Sequence, residues 1–184
     1  MGQPSQRAHT ERSIALLEFE PMARATACMT ATTDKPATNT KLPSKLAEWL
    51  ETFSFVDDRQ ERINLLIDTA NRFRPVPTSI ALRPYPESHR VPDCESQAFV
   101  FVEPRPDRTL NYHFAVENPQ GISAMATAVI LSETISGAAL NEVVAIPSEI
   151  IFSIFGHELS MGKSMGLMSM VAMVRAAAKK RHEQ

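Results

Sequence analysis

A single predicted β-hairpin with helical segments on both sides constrains the fold of this chain more than any other feature. Apolar residues alternate with polar or small ones over residues 110–116, which is typical of a strand with one buried face. Residues 96–102 are apolar on both faces, so we expect both faces of that strand to be covered. Residues 103–108 contain two prolines and predict a turn. With a short third strand over residues 89–92, we expect a small antiparallel sheet of about three strands.

Two amphipathic helices are predicted before the hairpin. Asp58 stands where the N-cap of the second helix is expected. The apolar face of the first helix follows the 3.6-residue spacing and consists of Leu46, Trp49, Leu50 and Phe53. The apolar face of the second helix consists of Ile63, Leu66, Ile67 and Ala70. We expect both of these faces to pack into the core.

After the hairpin the pattern is helical. Asn118-Pro119 predicts an N-cap followed by proline at the first helical position, and the helix that follows is apolar nearly all round to about residue 135. Short helices over residues 139–145 and 147–155, a loop over 156–162 and a last helix over about 163–181 complete the pattern. Helices grouped against one small sheet define an α+β fold class.

The first 41 residues differ from the rest because they show no sustained periodicity. We interpret residues 1–41 either as a disordered extension or as sequence upstream of the true translation start, and residues 42–181 as one folded domain. The extension lacks the apolar segment that a signal peptide contains. A cytoplasmic location is therefore expected, or an organellar one if residues 1–41 are a transit peptide.

Composition excludes several classes of function. The formal net charge is −2 without a basic stripe along the chain, so nucleic acid is not an expected partner. No apolar run approaches the ~20 residues of a membrane span, so no membrane interaction is expected. Two cysteines do not make a disulfide framework, which favours a reducing compartment. We expect a monomer or a weak dimer.

Cys94 is the candidate reactive residue. It lies where a proline-rich connection over residues 73–92 ends and the first strand begins, and long connections of this kind are often functional. The thiolate is the reactive form, and the neighbouring Asp93 and Glu95 disfavour it. Compensating cations would have to come from Arg90, His89 or Lys163. The alternative is a buried and inert cysteine, which is the common situation for a lone cysteine.

Two motifs in the chain resemble those of the SufE family, the sulfur acceptors associated with Fe–S metabolism. Val91-Pro92-Asp93-Cys94-Glu95-Ser96-Gln97-Ala98-Phe99-Val100 is similar to the active loop of that family. Leu159-Ser160-Met161-Gly162-Lys163-Ser164-Met165-Gly166-Leu167 resembles the family motif that opens the last helix. The resemblance extends over roughly residues 42–180.

The resemblance implies a compact α+β fold shared by SufE and the IscU-type scaffolds. It implies that the protein binds and activates a SufS-like, PLP-dependent cysteine desulfurase and carries no cofactor or metal itself. Cys94 would take the persulfide sulfur from that enzyme and pass it to an Fe–S scaffold protein. Ser96 and Gln97 would shape the cysteine loop together with Asp93 and Glu95.

Three positions depart from the family pattern. Asp93 stands where many members have glycine, and Met161 replaces the usual proline. Lys163 stands where the family has arginine, which keeps the charge but loses the bidentate fork. Arg90 and Lys163 are the candidate contacts to the partner enzyme.

Three rival functions remain at this point. A cysteine hydrolase needs a base beside the nucleophile, for which His113 and His157 are the candidates. A metal or Fe–S scaffold needs about three thiolates or equivalent ligands, and the predicted folded domain has only Cys94. An interaction-only regulator of a desulfurase needs no reactive cysteine at all.

Overall fold

The computed structural model describes residues 41–156 and 159–184, so the predicted extension over residues 1–41 lies outside the described residues except for Lys41. The described elements are α1 (Ser44–Ser54), α2 (Arg59–Asn71), a 3₁₀ turn (Glu87–His89), β1 (Ala98–Pro104), β2 (Leu110–Val116), α3 (Ile122–Ile135), α4 (Leu140–Val144), α5 (Ile150–Phe155) and α6 (Met161–His182). The predicted α+β class is confirmed. None of the described helices has both the length and the apolar character needed to cross a lipid bilayer.

The sheet of the described residues has two strands, not the expected three. β1 and β2 pair antiparallel from Ala98 opposite Val116 to Pro104 opposite Leu110. The expected third strand is reduced to a single bridge between Arg90 and Phe99. The 3₁₀ turn ends immediately before this bridge, and Pro92 has no backbone N–H with which to extend it.

Both faces of β1 are covered from Ala98 to Phe101, as the apolar pattern predicts, whereas Val102 is 36% exposed. On one face, Ala98 and Val100 belong to the main core together with α3 and α6. On the other face, Phe99 and Phe101 pack against Val76. Tyr85 lies 5.2 Å and 5.4 Å, ring centroid to ring centroid, from these two phenylalanines. The long proline-rich connection therefore acts as the second cover of the sheet.

α3 is the most buried helix described, and its start differs from the prediction. It begins at Ile122 with Gly121 as N-cap, so the prediction of Asn118 as N-cap was wrong. The Asn118 side chain instead accepts a hydrogen bond from the N–H of Gln120 at 2.9 Å. Asparagine closes such local turns readily, and this turn precedes the helix. The predicted cap of α2 is confirmed, because the Asp58 carboxylate accepts from the N–H of Glu61 at 2.8 Å.

Tyr112 leads to a prediction about stability. Its side chain is buried, and its hydroxyl finds no hydrogen-bond partner in the described part of the structure. A buried donor without a partner costs free energy, so Tyr112→Phe is expected to raise the free energy of unfolding by about 1 kcal/mol. Denaturant titration at neutral pH measures this, and a variant less stable than wild type would contradict it.

The same side chain predicts a dependence on alkaline pH. Burial raises the pKa of the Tyr112 phenol well above its usual value. The unfolded chain therefore ionises Tyr112 first, and stability falls as the pH rises above the unfolded value of about 10. Tyr112→Phe removes this contribution. Between neutral pH and a pH above about 10, the variant should therefore lose less stability than wild type does.

Candidate functional site

Cys94 lies on a short loop that is closed at its base by the backbone. The N–H of Val91 donates to the carbonyl of Ala98 at 2.8 Å, where the bridge between Arg90 and Phe99 ends. Inside this loop, the N–H of Gln97 donates to the carbonyl of Cys94 at 3.1 Å. These bonds hold the cysteine in a tight turn immediately before β1.

The loop is also tied to the segment that leaves β2. The N–H of Glu117 donates to the carbonyl of Gln97, and the N–H of Asn118 donates to the carbonyl of Ser96, both at 3.2 Å. Asp93 and Gln97 have left-handed backbone angles, with φ of 58° and 50°. This conformation is unfavourable for residues other than glycine, and aspartate tolerates it better than most.

The half-buried Cys94 lies at the edge of a groove between α2, α3 and α6. The groove has a volume of about 420 Å³ and a mostly apolar wall. Leu66 of α2 and Leu167 of α6 form part of this wall. Cys94 thus lines a mostly apolar groove and is itself only partly buried.

Two isoleucines of α2 correct one prediction about the core. Leu66 is buried as expected, as is Ala70, but Ile63 and Ile67 are 37% and 38% exposed. Both isoleucines line the groove beside Cys94. Their helical spacing indicated a buried face, and only the packing of α2 against the other helices shows that half of this face stays open.

The charged residues around Cys94 differ in where they lie and in whether they form an ion pair. Lys163 and Glu95 line the groove together with the cysteine, and Lys163 is exposed at the start of α6. Arg90 lies in a second, shallower depression that also contains Asp93 and Cys94. There its guanidinium pairs with Glu87 at 3.0 Å.

The residues around the cysteine belong to a recognised domain. The chain matches the model of the SufE family, described as an Fe-S metabolism associated domain, over residues 47–178. This match spans well over half of the sequence. The chain belongs to the SufE family. It therefore carries a domain associated with iron–sulfur metabolism.

A structural comparison adds the fold. This SufE-family protein is similar to the solution structure of a hypothetical protein from Thermus thermophilus, with a TM-score of 0.63 and 22% identity. The similarity covers 78% of this chain and 99% of the other. At this identity the comparison shows a shared fold. Comparison with curated proteins found no significant match.

In this SufE-family protein, α6 begins within the second family motif, two residues earlier than expected. Ser160 is the N-cap, and its hydroxyl accepts from the N–H of Lys163 at 3.4 Å. Met161 is then the first helical residue, a position at which proline is common in helices. The replacement of the family proline by Met161 therefore leaves the helix start intact.

The predicted site residues fall into three groups. Ser96 and Lys163 line the groove, Arg90 and Asp93 line the second depression, and Cys94 and Glu95 line both. Gln97 shapes the loop through its backbone and lines neither depression. The roles assigned to these side chains remain predictions.

None of the described histidines, His89, His113 and His182, lines either depression that contains Cys94. His113 is on β2, and its Nε2 lies 3.4 Å from a carboxylate oxygen of Glu103. His89 is stacked on Phe101 with ring centroids 4.7 Å apart. His157 lies outside the described residues. The described part of the SufE-family domain thus offers Cys94 no histidine base, and it contains no group of three His, Cys, Asp or Glu side chains able to hold a metal ion.

Proposed function

We propose that this protein is a sulfur acceptor that takes a persulfide sulfur onto Cys94 from a PLP-dependent cysteine desulfurase. One observation carries the proposal. Within the SufE-family domain, Cys94 is the free cysteine of the described residues. It lies on a loop that is held by backbone hydrogen bonds, and it lines a mostly apolar groove. Cys94 is partly exposed in this setting, and no described histidine lines the groove beside it.

The transfer follows thiol–disulfide exchange chemistry. The Cys94 thiolate attacks the outer sulfur of the persulfide on the partner's cysteine. A new S–S bond forms at Cys94 as the S–S bond of the partner breaks, and the partner's cysteine leaves as a thiolate. Sulfur moves without net oxidation or reduction. The PLP cofactor belongs to the partner, where it frees the sulfur from cysteine.

The acceptor then delivers the sulfur. A second thiolate, on an Fe–S scaffold protein, attacks the outer sulfur of the Cys94 persulfide, and Cys94 returns as a thiolate. Removal of sulfur from the desulfurase frees its cysteine for the next cycle. Activation of the partner is therefore a direct consequence of sulfur acceptance.

Desulfurase turnover tests this proposal. A SufS-like desulfurase with PLP and L-cysteine is assayed for alanine production with and without the protein in the presence of a reducing thiol. We expect turnover to rise with the concentration of the protein until it saturates. An unchanged rate at every concentration contradicts the proposed function.

Lys163 provides a prediction about the partner contact. It is exposed and lines the same groove as Cys94, whose lining includes one acidic residue, Glu95. Lys163→Glu reverses the charge toward an acidic partner surface, and we expect the concentration for half-maximal stimulation to rise about tenfold. The maximal turnover should change much less, because the cysteine is untouched.

A control for this variant lies on the same helix. Lys180 is exposed near the other end of α6. Lys180→Glu makes the same change of charge far from the groove, and we expect half-maximal stimulation to remain within about twofold of wild type. Equal effects of the two substitutions would show that net charge, rather than the groove, governs the association.

A further inference from the structure

α6 approaches the backbone of the cysteine loop more closely than any side chain would permit. A methyl group at Gly166 would lie 2.8 Å from Cys94 Cα, 2.9 Å from the carbonyl oxygen of Asp93 and 3.2 Å from Cys94 Cβ. Distances below about 3.0 Å are not seen for real Cβ atoms. The first two obstacles are main-chain atoms, so the loop itself would have to move.

A second glycine supports the loop from α3. A methyl group at Gly121 would lie 2.8 Å from Ser96 Oγ, 2.9 Å from Ser96 Cβ and 3.0 Å from the carbonyl oxygen of Asn118. Gly162 differs from these two positions, because its nearest obstacle is a carboxylate oxygen of Glu95 at 3.1 Å, at the flexible end of a side chain. Gly166 inside α6 and Gly121 at the N-cap of α3 thus limit how deep the cysteine loop can lie.

We infer that Gly166 and Gly121 are positioning residues, which form a seat that sets the depth of Cys94 beside the groove. The inference rests on the proposed function for its biological meaning. On this seat the thiol is half-buried. A side chain at either position would lift the loop away from the helices and expose the thiol, without touching the chemistry of sulfur itself.

The position of Gly166 within its helix strengthens the inference. It lies inside α6, more than one turn after Met161. Alanine is a much better helix former than glycine in a helix interior. If Gly166 were only a tolerated residue, alanine would stabilise the helix and leave the loop alone. If Gly166 is part of the seat, alanine should instead displace the cysteine loop.

The test is the rate at which Cys94 reacts with iodoacetamide, followed by mass spectrometry in a Cys28→Ser background. Overpacking of well-packed sites shifts equilibria substantially, so we expect Gly166→Ala to raise this rate by about tenfold. Gly162→Ala is the matched control, because the Glu95 carboxylate can turn away, and its rate should stay within about twofold. Melting curves establish that each variant is folded.

A second pair of variants keeps the inference testable if Gly166→Ala fails to fold. Gly121→Ala should also raise the rate of alkylation, because it pushes the same loop through Ser96. Ser96→Gly removes the two closest obstacles and leaves the carbonyl oxygen of Asn118 at 3.0 Å. Gly121→Ala should therefore raise the rate less in the Ser96→Gly background than it does in wild type.

Two results would overturn the seat. One is an alkylation rate for folded Gly166→Ala within about twofold of that for Gly162→Ala. The other is a Gly121→Ala effect that is undiminished without the Ser96 side chain. Sulfur acceptance is measured separately with a desulfurase. Alkylation rates that follow the prediction without any transfer of sulfur would support the seat and refute the proposed function. Transfer of sulfur with alkylation rates that do not follow the prediction would support the proposed function and refute the seat.

Discussion

Replacement of Arg62 by alanine is expected to lower the free energy of unfolding by about 3 kcal/mol. Arg62 lies on α2, and its half-buried guanidinium donates to four backbone carbonyls. Those of Phe53 and Val56, at 2.8 Å and 2.7 Å, belong to the end of α1 and the residues after it. Those of Ser153 and Ile154, at 3.1 Å and 3.0 Å, belong to α5.

The size of this effect follows from the hydrogen bonds that the four carbonyls would lose. The last carbonyls of a helix have no partner within the helix, and Arg62 supplies one for two helices at once. Hydrogen bonds from a charged donor contribute about 1.5–3 kcal/mol each, and these four share one side chain and are partly accessible to water. Arg62→Lys keeps the charge but lacks the planar fork, so it should recover only part of the stability.

Arg74→Ala is the matched control for Arg62→Ala. Arg74 is exposed, and its guanidinium donates to the carbonyl of the adjacent Phe73 at 3.1 Å. Its removal should change the free energy of unfolding by no more than about 0.5 kcal/mol. Denaturant titrations of all the variants give the comparison. An Arg62→Ala variant as stable as Arg74→Ala would show that α1, α2 and α5 are held together without this side chain.

The Cys94→Ser variant is expected to lose all stimulation of a cysteine desulfurase. Serine has nearly the shape of cysteine, and the hydrogen bonds of the loop are made by the backbone, so folding should be unchanged. A hydroxyl does not become the nucleophile that thiolate exchange requires. Turnover with this variant should equal the basal rate of the desulfurase at every concentration.

Cys94→Ser also separates the acceptor from the interaction-only regulator. A regulator that acts by contact alone would stimulate the desulfurase equally well without the thiol. Cys28→Ser is the control, because its single change lies outside the described domain and leaves Cys94 in place. Full stimulation by both variants would make contact, and not sulfur acceptance, the function.

The local features of the fold could be predicted from the sequence. The alternation over residues 110–116 and the apolar segment before it correspond to β2 and β1. The cap at Asp58 was predictable because its hydrogen bond joins residues three apart. The error at Asn118 has a local cause too, since the same side chain can close a turn or cap a helix. The sequence does not decide between these two.

Features that depend on tertiary packing could not be predicted. Ile63 and Ile67 show the spacing of a buried helical face, but the arrangement of α2, α3 and α6 leaves them in an open groove. The importance of Gly166 also depends on which backbone lies above it. The position of Cys94 on a loop before β1 was predictable, because the end of a proline-rich connection is a local signal; its function stays a prediction.

The most direct test of sulfur acceptance is the intact mass of the protein after incubation with a SufS-like desulfurase, PLP and L-cysteine. We predict that wild type and Cys28→Ser gain the mass of one sulfur atom, and that a reductant removes it. Cys94→Ser should gain nothing under the same conditions. A sulfur adduct on Cys94→Ser, or no adduct on wild type while the desulfurase is active, would contradict the assignment of Cys94 as the acceptor.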